Sequence, residues 1–96
     1  MSCSLSTHVL DTSLGRPAAG VTVELRGSGG TVAAAETDAD GRARLAEELA
    51  AGTYALVFHP PSAFFTRVEL QVELAEGHYH VPLLVSPYGC ASYRGS

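Results

Sequence analysis

The stretch Val68-Glu69-Leu70-Gln71-Val72-Glu73-Leu74 alternates apolar and polar side chains over its whole length. Because successive side chains of a β-strand point to opposite faces of a sheet, this pattern predicts a strand with one face in a core and the other in water. Residues 21–25 alternate in the same way, and Tyr54, Leu56 and Phe58 alternate with Ala55, Val57 and His59. Turn-forming sequences rich in Gly, Pro and Asp separate these runs. The chain therefore predicts an all-β fold, an antiparallel β-sandwich of seven to eight short strands.

Residues 45–51 (Leu-Ala-Glu-Glu-Leu-Ala-Ala) are the one segment whose composition favours a helix. The segment is too short to form a stable helix alone, and it ends at Gly52. We expect a loop or a single helical turn there.

The length and charge of the chain limit its architecture and its partners. Ninety-six residues fit one domain spanning residues 1–96, and the small core of so short a chain favours oligomerisation. The net charge of −4 disfavours nucleic-acid or anionic-membrane surfaces, both of which require a basic patch. No stretch reaches the roughly 18 apolar residues of a membrane-spanning helix. We expect neither nucleic acid nor a membrane as a partner.

The cysteine content predicts a reducing compartment. Cys3 and Cys90 lie at opposite ends of the chain, unlike the closely spaced cysteines of a small disulfide-bonded domain. The first residues also lack the basic and apolar regions of a signal peptide. We expect reduced thiols and a cytoplasmic protein.

Four histidines are candidates for chemistry: His8, His59, His78 and His80. Residues two apart in a strand point the same way, so His78 and His80 share one face, and the alternation around His8 places it opposite that pair on the first strand. Three interpretations stay open: structural histidines satisfied by their neighbours, a three-histidine zinc site with an open fourth position, or neutral imidazoles acting as general base and proton shuttle.

Residues 36–47 partly match the spacing of a calcium-binding loop. However, Arg42 and Arg44 would put two cations inside that site, and the flanking residues predict strands rather than helices. The alternative is a tight turn in which an Asp side chain bonds the backbone and Gly41 takes a positive φ. Arg42 would then begin the next strand, where its guanidinium can bind an anion or stabilise a developing oxyanion.

The middle of the chain and its two ends resemble different families. Residues 15–58 resemble prealbumin-like sandwich modules, including the carboxypeptidase regulatory-like domains, which implies a non-catalytic structural module. The ends, in contrast, resemble the two signatures of the 5-hydroxyisourate hydrolases, the transthyretin-related enzymes of urate breakdown. The N-terminal signature covers residues 6–18 and begins with Ser6-Thr7-His8-Val9-Leu10-Asp11. The C-terminal signature covers residues 78–89 and begins with His78-Tyr79-His80-Val81-Pro82-Leu83. The closing Tyr93-Arg94-Gly95-Ser96 matches the tetrapeptide that separates these hydrolases from transthyretin.

This second resemblance spans nearly the whole chain and implies a transthyretin-like (prealbumin-like) sandwich. It further implies a homotetramer, a dimer of dimers, with active sites in the channel between the dimers. The implied reaction is hydrolysis of 5-hydroxyisourate to 2-oxo-4-hydroxy-4-carboxy-5-ureidoimidazoline in urate (purine) catabolism, without a metal or organic cofactor. The alternative function is that of a transthyretin-like carrier, which holds a small hydrophobic ligand in the channel and catalyses nothing.

The resemblance also implies the site residues. By motif position, the catalytic residues are His8, Arg42, His80 and Ser96, and substrate binding involves His8, Arg42, Tyr93, Arg94 and Ser96. The two histidines would exchange protons with water and with the departing ring nitrogen, and Arg42 would stabilise the attacked carbonyl oxygen. Ser96 and the terminal carboxylate would orient water or substrate.

Two segments are shorter than the family pattern. Residues 59–65 alone join the strand at 54–58 to the next one, so the short helix usual in the family is expected to be missing. The segment 45–52 is also trimmed. Neither change affects the proposed catalytic positions.

Overall fold

Two β-sheets packed face to face form the computed structural model, which describes residues 2–95. Its nine strands are β1 (Ser2–Asp11), β2 (Arg16–Pro17), β3 (Thr22–Gly27), β4 (Gly30–Glu36), β5 (Arg42–Ala50), β6 (Gly52–Phe58), β7 (Val68–Leu74), β8 (Gly77–Ser86) and β9 (Gly89–Ser92). The first sheet has the order β2-β1-β8-β9, with β5 also paired to β1, and the second has the order β4-β3-β6-β7. The predicted all-β sandwich is confirmed, and the strand count exceeds seven to eight only because it includes the two-residue β2.

The core lies between the two sheets and follows the alternation of the sequence. Strand β1 buries Leu5 and Val9 completely, and the residues between them are partly exposed except for Thr7. Phe58 of β6 is the largest fully buried side chain of the opposite sheet. Because side chains alternate along a strand, Ser6 and His8 lie on the outer face of the first sheet. The polar candidates of β1 are thus separated from the core by the backbone of their own strand.

One strand pair departs from the antiparallel expectation, because β1 and β8 run parallel over nine residue pairs. A parallel pair needs a long crossover connection, which here is the chain from β2 to β7. Alternation along a strand does not specify which distant strand it pairs with. The parallel register sets Ser6 beside His80, so that both side chains lie on the same face of the sheet.

The expectation for residues 45–51 was wrong, because most of that segment belongs to strand β5. The β5–β1 pairing has two register shifts, between Cys3 and Leu5 and between Leu5 and Ser6 of β1. Leu45 and Leu49 are both buried, and the bulges interrupt the regular alternation, so that Glu47 and Glu48 between them are exposed. Burial of the two leucines and pairing with β1 therefore override the local helix propensity.

The turn before β5 has the predicted geometry of a tight Asx turn rather than a calcium loop. Asp38 Oδ1 accepts hydrogen bonds from the N–H groups of Asp40 (2.9 Å) and Arg42 (3.0 Å), and the Arg42 N–H is the larger cause of a lowered Asp38 pKa. Gly41 has a φ of 76°, and its carbonyl accepts a 2.7 Å hydrogen bond from the Val9 N–H. The turn is therefore fastened to β1, and Arg42 begins β5 as predicted.

The connection between β6 and β7 contains no helix, as expected for its short length. The Ser62 hydroxyl accepts hydrogen bonds from the N–H groups of Phe64 and Phe65. The Phe64 ring makes edge contacts with Phe65 and with Tyr88 of the β8–β9 turn, at centroid distances of 4.9 and 5.9 Å. An aromatic contact therefore joins the two sheets at this end. Within residues 2–95, no helix is long and apolar enough to cross a membrane.

Gly41→Ala should destabilise the fold strongly. A Cβ at this position would lie 2.5 Å from the Val9 carbonyl oxygen and 2.9 Å from Pro17 Cβ, at a φ that L-residues disfavour. Left-handed strain of about 1–2 kcal/mol and overpacking of about 1–3 kcal/mol together predict a loss of about 3 kcal/mol. Urea unfolding monitored by circular dichroism would measure it.

Gly15→Ala is the matched control, since Gly15 has a φ of 69° but a Cβ added there would have no other atom within 4 Å. Only the backbone strain of about 1–2 kcal/mol should be lost there. Equal losses in the two variants would show that the close approach of Gly41 to β1 contributes nothing.

Candidate active site

Three predicted site residues from three strands meet on the outer face of the first sheet. His8 of β1 is paired with Arg42 of β5, and Ser6, two residues before His8, is paired with His80 of β8. The rings of His8 and His80 have centroids 6.4 Å apart and are tilted by 45°. A cavity of about 480 Å³ opens beside Arg42 and His80. The structure therefore brings two imidazoles and a guanidinium together on the outer face, and His80 and Arg42 line the cavity there.

His8 is held by the turn that precedes Arg42. Its Nε2 lies 2.8 Å from the carbonyl oxygen of Asp40. A carbonyl oxygen only accepts hydrogen bonds, so Nε2 carries the hydrogen and donates it. In the neutral ring, Nδ1 is then the unprotonated nitrogen and can accept a proton. The same turn thus orients His8 and places Arg42.

His80 has an environment that favours its neutral form. Burial is the largest cause of its lowered pKa, followed by the positive charges that His8, His78 and Arg42 can carry. Its Nδ1 lies 2.9 Å from the Ser6 hydroxyl. A histidine with a pKa below 6.5 is mostly unprotonated at neutral pH, which is the form that a general base requires.

The end of the described chain lies against His80. The Gly95 N–H donates a 2.6 Å hydrogen bond to the His80 carbonyl, forming an isolated antiparallel bridge. A Cβ on Gly95 would lie 2.9 Å from His80 Cδ2, so only glycine fits without movement of the ring. Ser96, predicted to be catalytic, lies outside the described residues.

Tyr93 and Arg94 lie along a different cavity from the one beside His80. They border a space of about 460 Å³ together with β7 side chains such as Leu70 and Leu74. The Arg94 guanidinium stacks 4.3 Å from the centroid of the Tyr79 ring. Their contact with substrate stays a prediction.

The remaining histidines divide between the sheets. His78 lies on the outer face of the first sheet, where its two ring nitrogens contact the hydroxyls of Ser4 and Ser6. His59 lies 3.7 Å from a Glu24 oxygen, on the other sheet. Among residues 2–95, no three His, Cys, Asp or Glu side chains are grouped as metal ligands.

Sequence reasoning missed Ser4 and Ser6 as neighbours of the histidines. Both residues alternate in phase with His8 along β1, so the period-two pattern alone places them on its face. Their contacts with β8 follow from the parallel register, which the alternation does not contain.

An NMR titration should find the His80 pKa below its usual value of 6.5. Because the folded pKa is lowered, the unfolded chain binds this proton more readily, so His80 should reduce folding stability as the pH falls below about 6.5. Arg42→Gln should raise the His80 pKa by removing one positive charge, and Arg16→Gln on the distant β2 should leave it unchanged. A His80 pKa at or above 6.5 would contradict the burial seen here.

Comparison with known proteins gives consistent results. The sequence pattern of the HIUase/Transthyretin family matches residues 5–95. The chain is 43% identical over 112 aligned positions to a 5-hydroxyisourate hydrolase of Caulobacter vibrioides, covering 96% of this chain and 97% of the relative. The structure of Klebsiella pneumoniae 5-hydroxyisourate hydrolase is similar with a TM-score of 0.89 and 40% identity, covering 98% and 99% of the two chains.

The crystal structure of sea bream transthyretin in complex with thyroxine is also similar, with a TM-score of 0.82 and 26% identity over 95% of this chain and 93% of the other. The matched region contains the three strands that carry His8, Arg42 and His80. With a family match over nearly its whole length and relatives above 40% identity, the chain belongs to the HIUase/Transthyretin family.

Proposed function

We propose that this protein hydrolyses 5-hydroxyisourate to 2-oxo-4-hydroxy-4-carboxy-5-ureidoimidazoline in urate catabolism. The observation that carries the proposal is the meeting of His8, Arg42 and His80 on the outer face, beside a cavity that Arg42 and His80 line. The similarity to proteins named 5-hydroxyisourate hydrolase, at 43% identity and over nearly full length, supports the same reaction.

His80 accepts a proton from the attacking water, since its lowered pKa keeps it neutral. The water oxygen bonds to a ring carbonyl carbon, and Arg42 stabilises the negative charge that develops on the carbonyl oxygen. The C–N bond of the ring then breaks, and His8, which has first taken up a proton from solvent at Nδ1, gives that proton to the departing nitrogen. Exchange with solvent restores both imidazoles. This chemistry uses side chains alone and requires no metal or organic cofactor.

Ser96 orients water or substrate in this proposal. Support comes from the preceding residue, Gly95, whose N–H binds the His80 carbonyl. Arg94 and Tyr93 complete the substrate-binding set. The stacking of the Arg94 guanidinium on the Tyr79 ring holds this segment against β8, the strand that carries His80.

The active assembly in this proposal is a cytoplasmic homotetramer, a dimer of dimers with the sites in the channel between dimers. The protomer carries its site on an open, half-exposed sheet face, which a facing protomer would enclose. The two cysteines are free, as expected in a reducing compartment.

A carrier of a small hydrophobic ligand is the second candidate, favoured by the similarity to transthyretin crystallised with thyroxine. The chemistry of the outer face argues against it. A hydrophobic ligand in this cavity would have to cover the His80 imidazole and the guanidiniums of Arg42 and Arg44 without replacing their hydrogen bonds to water.

Loss of one proton-transfer group should reduce turnover about 10²–10⁴-fold. His8→Asn, His80→Asn and Arg42→Gln should each show this loss when urate oxidase generates 5-hydroxyisourate in place and its decay is followed by ultraviolet absorbance. His59→Asn, on the other sheet, is the control and should keep full activity. Absence of catalysis by the folded wild-type protein would favour the carrier.

Gly95→Ala should lower kcat about 10²-fold, because the added Cβ would displace the His80 ring and a displacement of about 1 Å can have this effect. Gly29→Ala is the matched control, since no atom lies within 4 Å of a Cβ there. Equal turnover by the two variants in the same assay would mean that the contact of Gly95 with His80 does not set the position of the His80 ring.

A further inference from the structure

A row of alternating hydroxyls and imidazoles runs along the outer face of the first sheet. The Ser4 hydroxyl lies 2.6 Å from His78 Nδ1, and the Ser6 hydroxyl lies 3.1 Å from His78 Nε2. The same Ser6 hydroxyl lies 2.9 Å from His80 Nδ1. These contacts connect His80, beside the cavity, to the exposed His78 without a gap, and the proposed mechanism does not use them.

The row results from the parallel pairing of β1 and β8. Ser4 is opposite His78 and Ser6 is opposite His80, and residues at these spacings share one face of each strand. In a parallel pair the cross-strand neighbours stay in step, so each serine meets a histidine at successive positions. The contacts are therefore a property of the register and not of one flexible side chain.

Ser6 links the two histidines of this row, and its hydroxyl has one hydrogen to donate and two lone pairs to accept with. Between two ring nitrogens it donates to one imidazole and accepts from the other. If Ser6 accepts from His80 Nδ1–H, the other nitrogen of His80, Nε2, is unprotonated and can act as a base. If Ser6 donates to Nδ1, then Nε2 carries the hydrogen. The orientation of one hydroxyl thus decides the form of His80.

We propose that Ser6 and His78 form a proton relay that sets the tautomer of His80 and carries the proton from the attacking water to the solvent-exposed edge of the site. The proposal rests on the function proposed above. Ser6 and His78 are positioning and relay residues that act through His80 and do not react with the substrate.

The transfer balances at each bond. His80 Nε2 takes the proton of the attacking water while His80 Nδ1 passes its own hydrogen to the Ser6 oxygen. Ser6 gives its hydroxyl hydrogen to His78 Nε2, and His78, now an imidazolium, keeps its Nδ1–H bonded to Ser4. His80 ends neutral with the hydrogen on Nε2. Three changes restore the first state: His78 releases its Nε2 proton to water, the Ser6 hydroxyl rotates back toward His78, and His80 exchanges its hydrogen from Nε2 to Nδ1 through solvent.

The charges around His80 favour removal of the proton. Its neighbours are His8 on β1, Arg42 and Arg44 on β5, and His78 on β8, and each of these groups is or can become positive. Arg44 has a partner in Glu47 at 3.1 Å, and Asp38, the acidic residue of the cavity wall, has Oδ1 bonded to backbone N–H groups. A charge on His78 is farther from Arg42 and is exposed to water, which screens it.

The tautomer of His80 can be tested without any substrate. In wild-type protein with ¹⁵N-labelled histidine at pH 8, the His80 ring should be protonated at Nδ1. Ser6→Ala removes the acceptor and should move the hydrogen to Nε2, Ser6→Thr should keep the wild-type form, and Ser2→Ala at the exposed start of β1 is the control. An unchanged His80 tautomer in Ser6→Ala would overturn the proposal.

The relay can be tested in the coupled assay. Ser6→Ala and His78→Asn should each lower kcat about 10-fold with little change in KM, since both act on the proton transfer through His80. Ser6→Thr should restore the rate, and added imidazole should rescue His78→Asn but not Ser6→Ala, because a soluble base can replace only the exposed end. His59→Asn is the histidine control.

The outcomes separate the two proposals. Full kcat in both Ser6→Ala and His78→Asn, with an active wild type, would overturn the relay and leave the hydrolase function intact. An inactive, folded wild-type protein would overturn the proposed function and the relay's part in hydrolysis together. A loss in both variants that appears in KM alone would also overturn the relay.

Discussion

The parallel pairing of β1 with β8 is the constraint on which both the core and the site depend. Its register points Leu5 and Leu83 inward and aligns Ser6 with His80 on the outer face. The buried Thr7 hydroxyl reinforces the pairing by donating a 2.6 Å hydrogen bond to the Val81 carbonyl. A slip of one residue would exchange the two faces of a strand, so hydrophobic burial opposes the one-residue slips that would turn the histidine away from its serine. Burial of apolar side chains thus fixes the geometry of polar ones.

The turn at residues 38–41 connects fold stability to the site. Asp38 closes the turn through backbone N–H groups, and Gly41 lies so close to β1 that its carbonyl bonds Val9. The carbonyl of Asp40 then holds His8, and Arg42 leaves the turn opposite that histidine. One short segment therefore positions an imidazole and a guanidinium by hydrogen bonds of its backbone.

Alternation and turn chemistry were enough to predict the sandwich, its core face and the turn before Arg42, because these depend on neighbouring residues. The site residues His8 and Arg42 came from motif resemblance, and the structure brings both close to His80. Two features could not be predicted. Residues 45–51 resemble a helix locally, and only the bulged pairing with β1 makes them a strand. The contact of Ser6 with His78 and His80 depends on a parallel pair between distant segments, which local patterns do not encode.

The short β6–β7 connection has a consequence for how this family can change in length. An alignment of 112 positions accommodates this chain of 96 residues, so relatives contain segments that it lacks. The helix-free connection joins strands of the second sheet, and the contact of Phe64 with Tyr88 covers the end of the sandwich. The catalytic candidates lie on the far face of the other sheet. An insertion or deletion at residues 59–67 is therefore separated from the catalytic candidates by the full thickness of the core. This connection is a suitable place to graft new segments. Evolution can also shorten it without reducing turnover.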